Sequence, residues 1–331
     1  MRLILHPGHA KCGSTSIQKA IIKNRDQLKK HKIIVPDPQL RLPWEKGFNP
    51  NGETPRPFFR KLMESGDTKD LLPKLENIRS HLDNNYSIII SAENLVNQLN
   101  QASGKQIHLE LARYFDDTRI IYYIKRQDDF LLSAWQQWGY KQGKNFQDFV
   151  NTALLSGNPN YCTAAKFFSR VYGKKNMDVV PIDGGKLYKN NLVADFFHRL
   201  ELPANEFNCS RLESNKSLNP HLCDTLSKLP HLFTDVHDES LKRDLESLVE
   251  KNSRIFEKSP DFFSKNERKR ILERFKKDND FLRNTFMDSQ DWPSQPTSHS
   301  ESENSDGYEE ALAIQMELII KLIRKVSNEG N

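Results

Sequence analysis

Short apolar runs alternate with longer amphipathic segments over the first two thirds of the chain. The runs predict buried β-strands, and the consecutive isoleucines at 88–90 are typical of a strand covered on both faces. Between the runs, apolar residues recur at helical spacing. The predicted strands are 2–6, 32–35, 86–91, 119–124 and 177–182, and the predicted helices are 15–30, 71–82, 104–115, 128–141, 164–172 and 192–200. Strands alternating with helices predict a three-layer α/β/α fold with a mostly parallel central sheet.

The C-terminal third is almost wholly helical in pattern and rich in charge from about residue 207. Residues 293–306 have the Ser-, Glu- and Pro-rich composition of a disordered linker. We therefore expect a helical C-terminal extension to the sheet. The predicted organisation is a domain over 1–290 whose part 207–290 is mostly helical, a flexible linker over 291–306 and an amphipathic helix over 307–331.

The last predicted helix carries one apolar stripe, formed by Leu312, Met316, Ile319, Ile320, Ile323 and Val326. On a lone helix this stripe would stay in contact with water. We expect it to dock on the chain's own surface or on a second copy, which makes self-association a prediction. A foreign protein is the alternative partner.

Composition narrows the classes of ligand and partner. The chain has 331 residues and a formal net charge of +5, which fits a globular protein that binds a small anion. A nucleic-acid partner is not expected, because such proteins concentrate more basic charge on one face or tail. The four cysteines lack a CxxC pair and metal-ligand spacing, which favours reduced thiols and no metal. No apolar run approaches the ~20 residues of a membrane span, so we expect a cytoplasmic protein.

The most informative segment joins the first strand to the first long helix: Gly8-His9-Ala10-Lys11-Cys12-Gly13-Ser14-Thr15-Ser16. A helix N-terminus offers unpaired N–H groups and roughly half a positive charge to an anion. Gly8 and Gly13 let the backbone turn and let an anion approach closely. Lys11 adds a point charge, and residues 14–16 add hydroxyl groups. The two glycines have Walker A spacing, but Ser14 stands where that loop has its lysine. The segment predicts an anion-binding loop, the alternative being an ordinary turn.

Extended to His6-Pro7 before and Ile17-Gln18 after, this segment resembles the 5′-phosphosulfate loop of sulfotransferases that use 3′-phosphoadenosine 5′-phosphosulfate (PAPS). It is most similar to a bacterial carbohydrate-sulfotransferase-like branch that reads His-Ile-Gly-x-x-Lys-Thr-Gly-Ser-Thr-Ser-Ile-Gln. The main departures are Pro7 and Cys12, and Cys12 retains its backbone N–H. The resemblance implies a P-loop-type fold, adenosine 3′,5′-bisphosphate as product and no metal. It also implies that PAPS is bound by Gly8, Lys11, Cys12, Gly13, Ser14, Thr15 and Ser16.

A second segment resembles the 3′-phosphate motif of the same family: Ile124-Lys125-Arg126-Gln127-Asp128-Asp129-Phe130-Leu131-Leu132-Ser133-Ala134. The family places an arginine at the end of a strand and a serine in the next helix. Arg126 and Ser133 stand at those positions, and the guanidinium of Arg126 suits a phosphate. The similarity covers roughly residues 1–290 and is weaker in the helical C-terminal part.

For sulfuryl transfer, the protein must align the acceptor with the leaving group and stabilise charge. The acceptor hydroxyl also needs a base within hydrogen-bond reach. Glu93 follows the predicted strand 86–91, so its carboxylate is expected beside the loop. The family branch often has Ser-Ser-Glu at this point. We predict Glu93 as the base, with Lys11 stabilising the transition state. His9 and, more weakly, His6 are alternative bases, and a helix N-cap is the alternative role for Glu93.

Two other functions stay open. A small-molecule kinase is disfavoured by the missing Walker lysine and by the lack of an obvious strand-end aspartate for Mg²⁺. A non-catalytic nucleotide-binding protein is disfavoured by the presence of Lys11, Glu93, Arg126 and Ser133. The expected acceptor is a glycan or another molecule with a hydroxyl or amine. The Pro-rich stretch 36–57 and its neighbours carry aromatic residues that would either face sugar rings or pack as a satellite core: Trp44, Phe48, Phe58 and Phe59.

Overall fold

A five-stranded sheet, parallel throughout, organises the structure. The chain is seen here in a computed structural model that describes residues 1–183, 187–210, 217–250, 253–259, 262–287, 292–293 and 305–329. The strands are β1 (Arg2–His6), β2 (Ile33–Ile34), β3 (Ser87–Ser91), β4 (Asp117–Ile124) and β5 (Met177–Pro181). Their order in the sheet is β2-β3-β1-β4-β5. The apolar runs of the sequence therefore form the strands that the pattern predicts.

The helices follow in chain order. They are α1 (Ser14–Lys23), α2 (Arg25–Lys30), α3 (Arg56–Ser65), α4 (Leu71–His81), α5 (Asn94–Asn97), α6 (Ala102–Tyr114), α7 (Gln127–Ala134), α8 (Phe146–Ser156), α9 (Tyr161–Tyr172), α10 (Leu192–Arg199), α11 (Pro220–Ser227), α12 (Ser240–Leu248), α13 (Lys265–Arg274), α14 (Lys276–Phe286) and α15 (Ser305–Glu329).

The chain forms two compact units. The first comprises Met1–Arg126, Asn160–Ser214 and Lys277–Ser294, and it contains the whole sheet. The second comprises Gln127–Pro159, Asn215–Lys276 and Gln295–Asn331. The predicted domain end at 290 and most of the predicted linker, 294–304, lie outside the described residues, so that division stays a prediction.

Helices cover the sheet of the first unit on both faces. The crossover from β1 to β2 and the crossover from β3 to β4 run in opposite directions along the sheet, so right-handed connections place their helices on opposite faces. In agreement, α1 packs with α2 and α10, whereas α6 packs with α4 and α9. The isoleucines of β3 are fully buried, as a strand covered on both faces requires. The predicted three-layer α/β/α fold is confirmed.

Two predicted helices are interrupted in the structure. The predicted helix 15–30 breaks at Asn24, whose amide donates to the carbonyls of Ala20 and Asn208 and whose side-chain oxygen accepts the Asn208 N–H. The predicted helix 128–141 ends as α7 and continues as a π-helical turn, Trp135–Gly139, and a 3₁₀ turn, Tyr140–Gln142. Polar side-chain bonds at a long sequence distance decide the first break, and periodicity alone does not show them.

The second unit is helical and is tied together by buried polar and aromatic contacts. Arg268 of α13 donates to Asp128 at 2.8 Å and to Asp129 at 3.0 Å, both on α7. The indole of Trp135 stacks on the ring of Phe262. Helix α15 packs against α11, so the last helix docks on its own chain. The helical character predicted beyond residue 207 is therefore found in the described residues.

Candidate functional site

The carboxyl ends of four strands meet at one edge of the sheet in the first unit. His6 at the end of β1 pairs in register with Ser91 at the end of β3, and Ile124 at the end of β4 pairs with Pro181 of β5. The residues that follow each strand therefore share this edge. They are the loop after β1, Glu93, Lys125 with Arg126, and Asp183. In open parallel sheets this is where ligands bind.

The loop between β1 and α1 is held by positive-φ residues. Gly8, Lys11 and Gly13 have φ values of 42°, 62° and 79°. Gly13 is required for a second reason, because a Cβ there would lie 2.2 Å from Cδ2 of Leu192. Helix α1 begins at Ser14 immediately after this glycine. The loop is a tight backbone turn at a helix N-terminus, the geometry expected of an anion site.

Part of the hydrogen-bonding capacity of the loop is used within the loop itself. The N–H of Cys12 donates to the carbonyl of His9 at 3.1 Å, and the N–H groups of Ser16 and Ile17 donate to the carbonyl of Gly13. The Cys12 amide, expected from the sequence to serve an anion, is thus engaged in this structure. The thiol of Cys12 lies 3.7 Å from the hydroxyl of Tyr161.

Burial raises the pKa of the Cys12 thiol to about 12, so the thiol is neutral at physiological pH. Smaller electrostatic effects on this thiol come from Lys125, which lowers its pKa, and from Asp183 and Glu93, which raise it. The charged residues that follow β3, β4 and β5 therefore all lie near enough to the loop to affect this thiol. Cys12 is a packed residue of the loop and lacks the thiolate that a nucleophile needs.

Glu93 lies against the loop, as the sequence predicts for a carboxylate after β3. The hydroxyl of Ser14 donates to Oε1 of Glu93 in a short hydrogen bond. A Cβ on Gly8 would lie 3.5 Å from Cγ of Glu93, so the stem of Glu93 passes directly beside Gly8. Glu93 is also the N-cap residue of the short helix α5, but its side chain makes no capping bond there. The half-buried carboxylate is therefore directed to the loop.

His9 and His6, the alternative bases, are both buried. His9 packs edge-on against Tyr161 with ring centroids 4.9 Å apart, and burial lowers its pKa from 6.5 to about 4. His6 bonds through Nδ1 to the hydroxyl of Ser91 at 2.7 Å, and burial lowers its pKa to about 3. His6 is fully buried at the end of β1. His9 is 4% exposed, and its neutral ring lies among aromatic side chains. Among the three candidates, Glu93 is the most exposed.

Asp183, two residues after β5, was not predicted from the sequence as a site residue. Its carboxylate accepts the backbone N–H of Arg126 at 3.1 Å and the indole N–H of Trp292 at 3.3 Å. The signal was present, because Asp183 immediately follows the predicted strand 177–182. The expectation that no strand-end aspartate exists is therefore wrong.

The two residues of the predicted 3′-phosphate pair belong to different units. Arg126 is buried and ends the first unit, whereas Ser133 is half-buried on α7 of the second. Within the loop, Thr15 is exposed and Ser16 is half-buried. The binding roles of these residues stay predictions.

Among the described residues, no group of three or more His, Cys, Asp or Glu side chains is arranged to hold a metal ion. No helix in the described part of the chain has the length and apolarity to cross a membrane.

Comparisons with known proteins give one structural likeness. No family model matches the chain. No curated protein matches it either. In structure, the chain is similar to the crystal structure of a sulfotransferase from Alicyclobacillus acidocaldarius, with 13% sequence identity and a TM-score of 0.34. The match covers 64% of this chain and 85% of the other. Functional inference for this chain therefore comes from its own residues.

Proposed function

We propose that the chain is a sulfotransferase that moves a sulfuryl group from PAPS to a hydroxyl or amine of an acceptor, with a carbohydrate as the acceptor class. The observation that carries the proposal is the contact between Glu93 and the β1–α1 loop through Ser14 and Gly8. It joins an anion-binding turn to a half-buried carboxylate at one sheet edge. Transfer of an anionic group to a hydroxyl needs both.

The donor would be held by the loop and by two basic residues. The glycines at 8 and 13 allow the backbone to lie close to the 5′-phosphosulfate, and Lys11 contributes a positive charge beside them. Arg126, at the end of the adjacent strand, would bind the 3′-phosphate with Ser133. This edge carries three basic side chains, Lys11, Lys125 and Arg126, and two carboxylates, Glu93 and Asp183. The net positive charge suits an anionic donor.

Glu93 would act as the base. Its Oε1 accepts the Ser14 hydroxyl, which fixes the orientation of the carboxylate and leaves Oε2 to accept the proton of the acceptor. As the acceptor oxygen forms its bond to sulfur, the bond between sulfur and the oxygen of the 5′-phosphate breaks, and the proton passes to Glu93. Lys11 would stabilise the negative charge that grows on the leaving oxygen.

The burial of the aromatic residues near the Pro-rich stretch indicates which of them could contact a sugar acceptor. Phe58 and Phe59 are buried and pack edge-on against each other, so they belong to the core. The guanidinium of Arg25 lies over the ring of Phe48. Trp44 is exposed and is the member of this set with a face available to a sugar ring. Trp44 is thus the aromatic residue that we propose for glycan contact.

A transfer screen tests the function. The full-length protein is incubated with ³⁵S-labelled PAPS and a panel of glycans, and label in the glycan is counted. We expect transfer to at least one glycan and its loss in Glu93→Gln, with Leu155→Gln, a change at an exposed position of α8, as the matched control. Binding of adenosine 3′,5′-bisphosphate without transfer to any hydroxyl or amine acceptor would favour the non-catalytic alternative.

Asp183 supports a second candidate, a kinase that acts on a small molecule. A strand-end carboxylate beside an anion-binding loop is what a Mg²⁺–nucleotide site needs. Its oxygens, however, accept hydrogen bonds from Arg126 and Trp292. Adding Mg²⁺ and γ-labelled ATP to the same acceptor panel separates the two functions. Label transfer from ATP, abolished by Asp183→Asn, would replace the sulfotransferase proposal.

A further inference from the structure

Helix α15 presents two opposite faces, and only one of them has a partner among the described residues. On the first face, Glu310 accepts from the side-chain amide of Asn219 at 3.2 Å and Glu317 accepts from the hydroxyl of Ser253 at 2.7 Å. Ile314, between these two glutamates, is fully buried. The spacing 310, 314, 317 is that of one helix face, and this face docks α15 within the second unit.

The other face is apolar and exposed. Leu312, Met316 and Ile319 each follow a docked residue by two positions, which is about 200° around a helix of 3.6 residues per turn. These side chains, with Ile320 and Leu322, are between 43% and 49% exposed. The docking of α15 on its own unit therefore leaves the described part of its apolar stripe, up to position 322, in contact with solvent, where such a patch is unfavourable.

The composition of the segments outside the described residues bears on what could cover this stripe. The segments outside the described residues are polar and contain a single large apolar side chain, Leu212. The segment that precedes the helix, 294–304, is made of Ser, Glu, Gln, Asn, Thr, His and Pro. An apolar cover from these stretches is thus not available.

The spacing of the stripe fits a second helix of the same kind. Positions 312, 316, 319, 323 and 326 alternate steps of four and three, the repeat that keeps an apolar seam facing a partner helix. Charge along the whole helix favours one orientation, although Glu310 and Glu317 themselves lie on the docked face. Helix α15 is acidic before position 318 and basic at Lys321, Arg324 and Lys325. In an antiparallel pair, the acidic half of one helix lies along the basic half of the other, and the two helix dipoles oppose.

We propose that α15 is a homodimerisation element that pairs antiparallel with α15 of a second copy, centred on Ile319. The stripe runs from 312 to 326, and its midpoint is Ile319. In an antiparallel pair centred there, Ile319 lies next to Ile319 of the second copy, and position 312 lies next to position 326. Because α15 is already fixed by Glu310, Ile314 and Glu317, the stripe is presented in a defined orientation, which lowers the entropic cost of association. Two heptads are a short seam, so we expect a reversible dimer.

Sedimentation velocity of the full-length protein over a range of concentrations tests the dimer. We expect the wild type to shift from monomer to dimer as concentration rises, and Ile319→Glu to weaken association by at least about tenfold. The matched control is Leu155→Glu, which places the same charge on an exposed leucine of α8. Its association should equal that of the wild type. If Ile319→Glu lowers the melting temperature, Met316→Lys replaces it.

Cross-linking tests the orientation. With Cys209, the half-exposed native cysteine, changed to Ser, Ile319→Cys should form a disulfide-linked dimer on oxidation and Leu312→Cys should not. A parallel pair would cross-link at both positions, which would refute the antiparallel arrangement. A wild type that stays monomeric at every concentration, or a dimer untouched by both charged variants, would refute the proposal. None of these results depends on sulfuryl transfer.

Discussion

Gly13 offers a quantitative test of the loop geometry. At a φ of 79° an alanine adopts the left-handed region, which costs about 1–2 kcal/mol. Its Cβ would also lie 2.2 Å from Cδ2 of Leu192, so the leucine must leave its rotamer at a cost of about 0.5–1.5 kcal/mol. Gly13→Ala should therefore destabilise the protein by about 1.5–3.5 kcal/mol.

Gly66 provides the control for the backbone cost. It has a φ of 69° at the end of α3, and a Cβ there would meet nothing within 4 Å. Gly66→Ala should thus lose about 1–2 kcal/mol, and Gly13→Ala should lose about 1 kcal/mol more. In a thermal melt this difference is a further decrease of about 2–4 °C in melting temperature.

A double-mutant cycle identifies Leu192 as the source of the difference. Adding Leu192→Ala to Gly13→Ala removes the atom that clashes. The double variant should therefore lose about 1 kcal/mol less stability than the summed losses of the two single variants. Equal losses at Gly13 and Gly66, with no coupling in the cycle, would show that Leu192 does not pack on the loop. The loop would then accept a side chain at 13, and Leu192 would not approach it closely.

Four further predictions concern ligands, charge and pH. A hundredfold excess of adenosine 3′,5′-bisphosphate over its dissociation constant should stabilise the protein by about 2.7 kcal/mol in a thermal-shift assay, with a much smaller effect from ATP; equal shifts would count against a 3′-phosphate pocket. Lys11→Ala should reduce turnover far more than donor affinity, and Arg126→Ala should do the reverse, as measured by titration and steady-state kinetics. Glu93→Gln should tighten donor binding while abolishing transfer. Burial lowers the pKa of His108 from 6.5 to about 4, so the unfolded state binds more protons than the folded state between these pH values. The free energy of unfolding should therefore fall as the pH drops below 6.5, by about 2 kcal/mol at pH 5. His108→Gln should reduce this pH-dependent decline in melting temperature, and an unchanged decline would contradict the prediction.

The sheet could be predicted from sequence because its information is local. Runs such as 88–90 cannot face water on either side, so their burial and their place in a parallel sheet follow from composition. Gly8 and Gly13 could be assigned to a strand-to-helix turn because few other residues tolerate their backbone conformations. The contact between Glu93 and Ser14 then depends on one further fact, that β1 and β3 are neighbours in register in the sheet.

Features set by contacts between distant segments could not be predicted. The break of the first long helix at Asn24 depends on Asn208, and the burial of His9 depends on the ring of Tyr161. The exposed stripe of α15 depends on which face docks, and the docked face is defined by Asn219 and Ser253. In each case the sequence near the residue is compatible with both outcomes, because the deciding atoms lie far away in the chain.

The position of Glu93 argues for chemistry over simple binding. A carboxylate beside the proposed anion-binding loop would repel a phosphosulfate, so Glu93 would lower the affinity that the loop otherwise has. A protein that only bound nucleotide would gain from a neutral residue at this position, and Ser14 would then be able to donate to the anion instead of to Glu93. A base, in contrast, must lie within reach of the reacting group whatever it costs in donor affinity. The opposite effects expected of Glu93→Gln on donor binding and on transfer follow from this conflict, and weaker donor binding in that variant would mean that Glu93 serves the loop as a structural anchor.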